Sequence, residues 1–223
     1  MEFKEYPDRD LLALNLADTL ASELGAALRH DDRVTFCVPG GTTPGPIFDA
    51  LTAVTLDWDR VDVVLNDERW VPESSPRSNT ALLRKRLLTG HAASATMLPL
   101  HTETEEPDLA LDALSEGLRP HLPINVLLLG MGTDAHTASL FPGADRLAEA
   151  LAPDAPILLP MRAEGAGEPR ITITARYLKG ALSTHVVIMG DEKRRVLEEA
   201  QGKKPEEAPI AAVLPNAVVH WAP

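Results

Sequence analysis

The stretch Asn125-Val-Leu-Leu-Leu-Gly-Met-Gly-Thr-Asp-Ala-His-Thr-Ala-Ser-Leu-Phe-Pro-Gly143 decides the fold class. It begins as a buried strand, Asn125 to Leu129. Gly130 and Gly132 then break it, and Asp134 and His136 follow just past its carboxyl end. In open α/β sheets ligands bind along that edge. An Asp two residues before a His there points to acid-base chemistry. A neutral imidazole takes up a proton near neutral pH, and a carboxylate orients the ring.

Outward from this stretch, strand-like and helix-like patterns alternate along the whole chain. Leu11 to Arg29 reads as an amphipathic helix, with Leu12, Leu16, Leu20 and Leu24 at spacing four. Arg33 to Val38 reads as a strand, Pro44 to Ala53 as a helix, Val61 to Asn66 as a strand, and Ser78 to Leu88 as a helix capped by Ser78 or Asn79. Asp108 to Leu118 continues as a helix. Pro156 to Met161, Arg170 to Thr174 and His185 to Met189 read as strands. Asp191 to Ala200 is a helix with acids in its first turn and Gly202 beyond its end. Ile210 to Leu214 reads as a short helix and Ala217 to Trp221 as a last strand. Such alternation predicts an α/β fold: a doubly wound, mostly parallel sheet with helices on both faces, Rossmann-like in plan. No linker or internal repeat divides it, so residues 1–223 read as a single domain. Glu164-Gly-Ala-Gly-Glu168 is the most flexible-looking segment; it reads as a plain surface connection, with a mobile loop near the site as the alternative.

Bulk properties narrow the function. The 223 residues suffice for one large core. Hydrophobic residues are 44% and aromatics only 4%, so Leu, Val, Ile and Ala must build that core. A formal net charge of -12 argues against nucleic-acid or anionic-membrane partners. The acidic excess reads as a solvated surface. The one cysteine, Cys37, lies within the apolar run Val34 to Val38 and reads as a buried structural thiol. The N-terminus shows no basic region followed by an apolar run, and no stretch approaches ~20 consecutive apolar residues. A cytoplasmic enzyme is the expectation, either a monomer or a homodimer.

The 125–143 stretch resembles the signature of the 6-phosphogluconolactonase family, within the larger group that includes glucosamine-6-phosphate deaminase. That family usually reads Gly-x-Gly-x-Asp-Gly-His-Thr-Ala-Ser-Leu-Phe-Pro. Ala135 stands here where glycine is usual. If that position needs φ > 0, alanine carries strain that glycine would not.

Other elements extend the resemblance from the first glycine loop to Lys193. Pro39-Gly-Gly-Thr-Thr-Pro44 is similar to the family's Ser-Gly-Gly-Ser/Thr-Thr-Pro loop, with Pro39 replacing the serine. On its own residues, the loop is either an anion cradle of backbone amides or a capped strand-to-helix turn. The resemblance implies that Gly40, Gly41, Thr42 and Thr43 bind phosphate. It implies the same for Arg170, in Pro169-Arg-Ile-Thr-Ile-Thr174, and for Lys193, in Gly190-Asp-Glu-Lys193. Asn66-Asp-Glu-Arg-Trp-Val-Pro72 resembles the family's Asp-Glu-Arg-x-Val-Pro element. Asp67 and Arg69 are thereby implied in substrate binding, Arg69 at either the phosphate or the sugar oxygens. A solvent-facing charged loop is the plainer reading of that segment.

The activity implied is hydrolysis of 6-phospho-D-glucono-1,5-lactone in the oxidative pentose phosphate pathway. His136 would be the base and Asp134 its orienting carboxylate, with no cofactor and no metal. Ser139 reads as structural, since it lacks a Gly-x-Ser-x-Gly setting. His185 likewise reads as structural. Two alternatives stand beside this. In the deaminase pattern a glutamate falls five residues after the His, where this chain has Phe141. A non-catalytic sugar-phosphate-binding protein would keep the pocket without turnover.

Overall fold

The computed structural model describes residues 1–223. Its strands are β1 (Glu2–Glu5), β2 (Val34–Val38), β3 (Val61–Leu65), β4 (Asp67–Arg69), β5 (Thr96–Met97), β6 (Val126–Gly130), β7 (Leu158–Met161), β8 (Arg170–Ile173), β9 (Ser183–Met189) and β10 (Val218–Ala222). Its α-helices are α1 (Arg9–Leu28), α2 (Gly45–Leu51), α3 (Asn79–Arg86), α4 (Leu111–Leu118), α5 (Leu147–Leu151), α6 (Ala175–Lys179) and α7 (Asp191–Ala200). Seven strands form one sheet in the order β1-β10-β9-β6-β2-β3-β5, with every neighbouring pair parallel. Helices cover both faces.

The sheet grows in one direction from β2 through β3 to β5, and in the other from β6 through β9 to β10. The switch therefore lies between β2 and β6, which is where a doubly wound sheet opens a crevice for ligands. All five residues of β2 and of β3 are buried, as strands covered on both faces require. A single cluster of 60 buried hydrophobic residues runs through the molecule.

Helix α1 carries the largest helical share of that core. Leu12, Leu16, Leu20 and Leu24 are fully buried beneath it, and the Asp8 side chain caps its first turn by accepting from Leu11 N at 2.8 Å. By length and average composition α1 is apolar enough to cross a bilayer, although no run of ~20 apolar residues exists in it. In the fold that apolar face packs on the sheet and on α2. Cys37 is fully buried, and desolvation pushes its thiol up, as a structural cysteine would show.

Several features depart from the sequence expectation. β7 and β8 do not join the main sheet. With β4 they form a separate three-stranded antiparallel sheet, in the order β4-β8-β7. The segment after β3 is therefore no solvent-facing loop: Asp67 and Glu68 are buried as part of β4. The helix read over 108–118 is also divided, with a 3-10 turn at Pro107–Leu109 before α4. The one read over 210–214 is a 3-10 turn at Pro209–Ala212.

A polar chain lies buried beneath α1. Tyr6 OH meets His220 Nδ1 at 2.8 Å, His220 Nε2 meets His185 Nδ1 at 3.0 Å, and His185 Nε2 meets Glu23 Oε2 at 2.9 Å. Burial, with His185 and Lys4 nearby, pushes His220 down from 6.5 to about 3. Between those pH values the unfolded chain binds a proton that the folded chain refuses, so stability must fall as pH drops through the window. His220→Gln should therefore flatten the fall of the thermal midpoint between pH 6.5 and about 3. Equal slopes in wild type and variant would remove His220 as the source.

Candidate active site

At the β2–β6 switch lies a cleft of about 230 Å³. Gly40, Gly41 and Thr43 line it from the loop after β2, and Gly132 and His136 from the loop after β6. Asp67 and Arg69 come from β4, Arg170 from β8 and Lys193 from the first turn of α7. The structure thus gathers nearly all the residues singled out in the sequence. Thr42 is the exception among the wall residues: it is exposed and faces a neighbouring depression with Arg9 and Asp10. Asp134 is not on the wall either, and stands behind His136.

The Asp134–His136 pair is set by a tight turn. His136 Nδ1 lies 2.5 Å from Asp134 Oδ1, and the His136 backbone N–H donates to the same oxygen at 3.1 Å. Those hydrogen bonds hold the Asp134 carboxyl below its ordinary value. Ring contact with Phe141, centroid to centroid 4.4 Å, fixes the imidazole from the side. Gly132 N donates to His136 O at 2.9 Å, Ala135 N to Gly132 O at 3.1 Å, and Ile210 N to Ala135 O at 3.0 Å.

This turn forces Ala135 to φ 63° and Ala138 to φ 50°. Position 135 thus has the left-handed backbone for which glycine is suited. Alanine accepts it at a strain on the order of 1 kcal/mol, with its methyl buried in the core.

The antiparallel sheet brings the charges together. In the β4–β8 register Arg69 lies opposite Arg170 and Asp67 opposite Thr172. Strand periodicity sends Asp67 and Arg69 to the cleft and Glu68 to the other side. There Glu68 accepts from Asn79 N at 2.9 Å, from Thr80 N at 2.7 Å and from the Thr80 hydroxyl at 2.8 Å. It anchors the start of α3, which Ser78 caps as expected, accepting from Ala81 N at 3.1 Å.

Asp67 Oδ2 takes the Ser139 hydroxyl at 2.6 Å and faces Arg170 Nη1 at 3.7 Å. Burial raises the Asp67 carboxyl against both partners, and burial lowers Arg170. The Arg170 guanidinium also lies 5.7 Å from the Phe141 ring centroid. Lys193 Nζ donates to Met131 O at 2.6 Å, and burial lowers its amine.

Three buried side-chain polar atoms in the chain lack a hydrogen-bond partner: Asn66 Oδ1, Arg69 Nε and Arg170 Nε. All three belong to residues lining this cleft. An unmet buried polar atom costs about 1–3 kcal/mol, so three of them on residues of one cleft make it a candidate site for polar ligand groups. No three His, Cys, Asp or Glu side chains converge in metal-binding geometry.

Sequence reasoning did not single out Asn66, Asn79 or Gly132 as site residues. Asn66 bridges strands, its amide donating to Leu128 O at 3.3 Å. A Cβ at Gly40 would collide with the Asn79 side chain, and one at Gly132 with both His136 and Asp134. Glycine doublets were visible in the sequence, but the neighbours that demand them are remote or folded back.

Gly132→Ala should therefore drive Asp134 and His136 apart with little loss of global stability. Its signature is a rise of the Asp134 carboxyl toward its ordinary value, read by carboxyl-detected NMR titration. An unchanged Asp134 titration would show that the methyl is accommodated.

The family model described as glucosamine-6-phosphate isomerases/6-phosphogluconolactonase matches residues 7–221. A 6-phosphogluconolactonase of Mesorhizobium japonicum is 43% identical, over 98% of this chain and 94% of its own. One from Rhizobium meliloti is 42% identical, over 98% and 97%. The crystal structure of a 6-phosphogluconolactonase from Shewanella baltica OS155 superposes with a TM-score of 0.96 at 30% identity, covering 100% of this chain and 98% of that one. This chain belongs to the glucosamine-6-phosphate isomerase/6-phosphogluconolactonase family.

Proposed function

We propose that this protein is a 6-phosphogluconolactonase, hydrolysing 6-phospho-D-glucono-1,5-lactone to 6-phospho-D-gluconate. The observation that carries the reading is the juxtaposition, in one cleft, of a carboxylate-oriented imidazole with Arg69, Arg170 and Lys193. Relatives of that name at 43% and 42% identity over almost the full length support it.

In this reading His136 is the general base. Asp134 accepts a hydrogen bond from Nδ1–H, which leaves the Nε2 lone pair to take a proton from water as that water attacks the lactone carbonyl. The carbonyl oxygen gains negative charge, and backbone amides of the loops along the cleft serve as donors to stabilise it. The ring C–O bond then breaks. Its oxygen leaves with the proton that His136 returns, and Asp134 stabilises the imidazolium in between. Ser139 donates its hydroxyl to Asp67 and is no nucleophile in this scheme.

The phosphate falls to the Gly40-Gly41 amides and the cationic groups, with Arg170 and Lys193 as its counter-charges. Arg69 stands opposite Arg170 and takes either phosphate or sugar oxygens. Asp67, held by Ser139 and Arg170, faces the sugar. The single hydrophobic cluster supports reading residues 1–223 as one domain. A net charge of -12 fits a cytoplasmic enzyme of the pentose phosphate pathway without nucleic-acid or membrane partners.

Phe141 weighs against the isomerase reading. Where the deaminase pattern has an acid, this chain presses an aromatic ring against His136. Glucosamine 6-phosphate should therefore not turn over.

The test is the initial rate on freshly made 6-phosphogluconolactone, corrected for spontaneous hydrolysis. Wild type should turn over rapidly, and His136→Ala should lose about 10²- to 10⁴-fold in kcat. Rapid turnover that survives the substitution would overturn the base assignment alone. No turnover above background, with 6-phosphogluconate still bound, would replace the enzyme with a binding protein.

A further inference from the structure

Residues 162–169 connect β7 to β8, and the sequence reads the flexible-looking part of it, 164–168, as a plain surface connection, with a mobile loop near the site as the alternative. The structure ties this segment to Arg170 of the cleft directly and to Arg69 through Arg77. Gly165 and Gly167 adopt φ 80° and 79°, folding the chain back on itself. Ala166 O then accepts from Arg170 Nη2 at 3.0 Å, and Pro169 O accepts from Trp70 N at 2.7 Å. Between them the Glu168 carboxylate receives Arg77 Nε at 2.9 and 3.0 Å, one oxygen each, and Arg77 Nη2 at 2.9 Å. The carboxylate is well covered for a loop residue, at 18% exposure.

Arg77 in turn holds a cleft residue, because its carbonyl accepts from Arg69 Nη1 at 2.8 Å. A continuous path therefore runs from Glu168 through Arg77 to Arg69. The same segment holds Arg170 through Ala166. Glu168 itself stays 4.0 Å from Arg69 Nε, beyond hydrogen-bond reach, so that buried N–H has no protein partner.

Resting on the anion-binding reading of the cleft, we propose that the Glu168–Arg77 pair is a latch. It fastens residues 163–169 beside the cleft and fixes the Arg69 and Arg170 guanidinium groups in the positions that receive the substrate's phosphate and oxygens. Glu168 and Arg77 are positioning residues, acting through Arg69 and Arg170 without touching the reacting atoms. A bidentate guanidinium contact is lost when its plane tilts, so a loosened latch weakens anion capture and leaves the Asp134–His136 chemistry alone. A counter-ion role for Glu168 predicts the opposite sign. Removing a carboxylate that merely competes for the arginines would tighten anion binding.

The experiment is a double-mutant cycle on the full chain with Glu168→Gln, Arg77→Gln and both together. Its readouts are the dissociation constant of inorganic phosphate by calorimetry, and KM and kcat for 6-phosphogluconolactone. Each single variant should weaken phosphate binding and raise KM about fivefold, the most that one partly exposed pair transmits. Values of kcat should stay within about twofold. The double variant should be no worse than either single, because one latch is broken once.

Tighter phosphate binding by Glu168→Gln, effects that add in the double variant, or unchanged constants in all three would each overturn the latch. The phosphate readout separates this failure from that of the proposed function. Phosphate binding that follows the latch pattern without lactone turnover would sink the lactonase and keep the latch. Fast turnover that all three variants leave untouched would do the reverse, and a wild type that neither binds phosphate nor turns over the lactone would end both.

Discussion

The parting of β2 from β6 is the constraint on which the rest depends. β2 pairs with β3 along all five residues, but with β6 only at Phe36–Val126 and Cys37–Leu127. Beyond that point the Leu128 carbonyl has no partner on β2, and the Asn66 amide reaches across to supply one. A buried carbonyl left unmet would be costly, so the bridge stabilises the opening itself. Because the strands separate here, the glycine loop after one and the Asp–His turn after the other face each other across a single gap.

The small antiparallel sheet supplies the opposite wall. It sets Arg69 against Arg170 in register, an arrangement that strand pairing alone disfavours because like charges repel. Asp67 and Glu168 offset that repulsion, one within the cleft and one outside it. Desolvation nonetheless pushes both Asp67 and Arg170 toward their neutral forms. A buried pair in such a state adds little to stability. Its place in this structure is the wall of the cleft, where Arg69 and Arg170 each keep an unmet buried N–H.

The Asp134–His136 turn shows a similar trade. Two alanines sit in left-handed backbone, and the 132–136 segment is over-determined by backbone hydrogen bonds within it and by Ile210 from a distant part of the chain. Strain of this kind persists only where surrounding contacts enforce it. Here it brings the imidazole within reach of its carboxylate and of the Phe141 ring. The backbone that Ala135 adopts is the one a glycine would favour, so alanine there adds strain to the turn.

The alternation of apolar runs with spacing-four leucines was enough to read a doubly wound parallel sheet, because both periodicities are local and strong. The Asp134–His136 pair was legible for the same reason: a single residue separates its members, and a strand end precedes them. Helix α7 was equally plain, and the cap of α3 was narrowed to Ser78 or Asn79, since caps and first-turn acids act within one turn of chain. What the sequence left undecided depends on contacts between remote segments. Asp67-Glu68-Arg69 reads as a charged loop until β8, about a hundred residues later, pairs with it and buries two of the three. The glycine-rich link at 164–168 reads as a surface connection until Arg77 meets Glu168. Asn66 shows its use only when β2 and β6 diverge. Local pattern determined most of the elements and placed Asp134 beside His136 at a strand end. The tertiary structure alone decided which charges were desolvated together, because burial belongs to the assembled surfaces and not to any one stretch of chain.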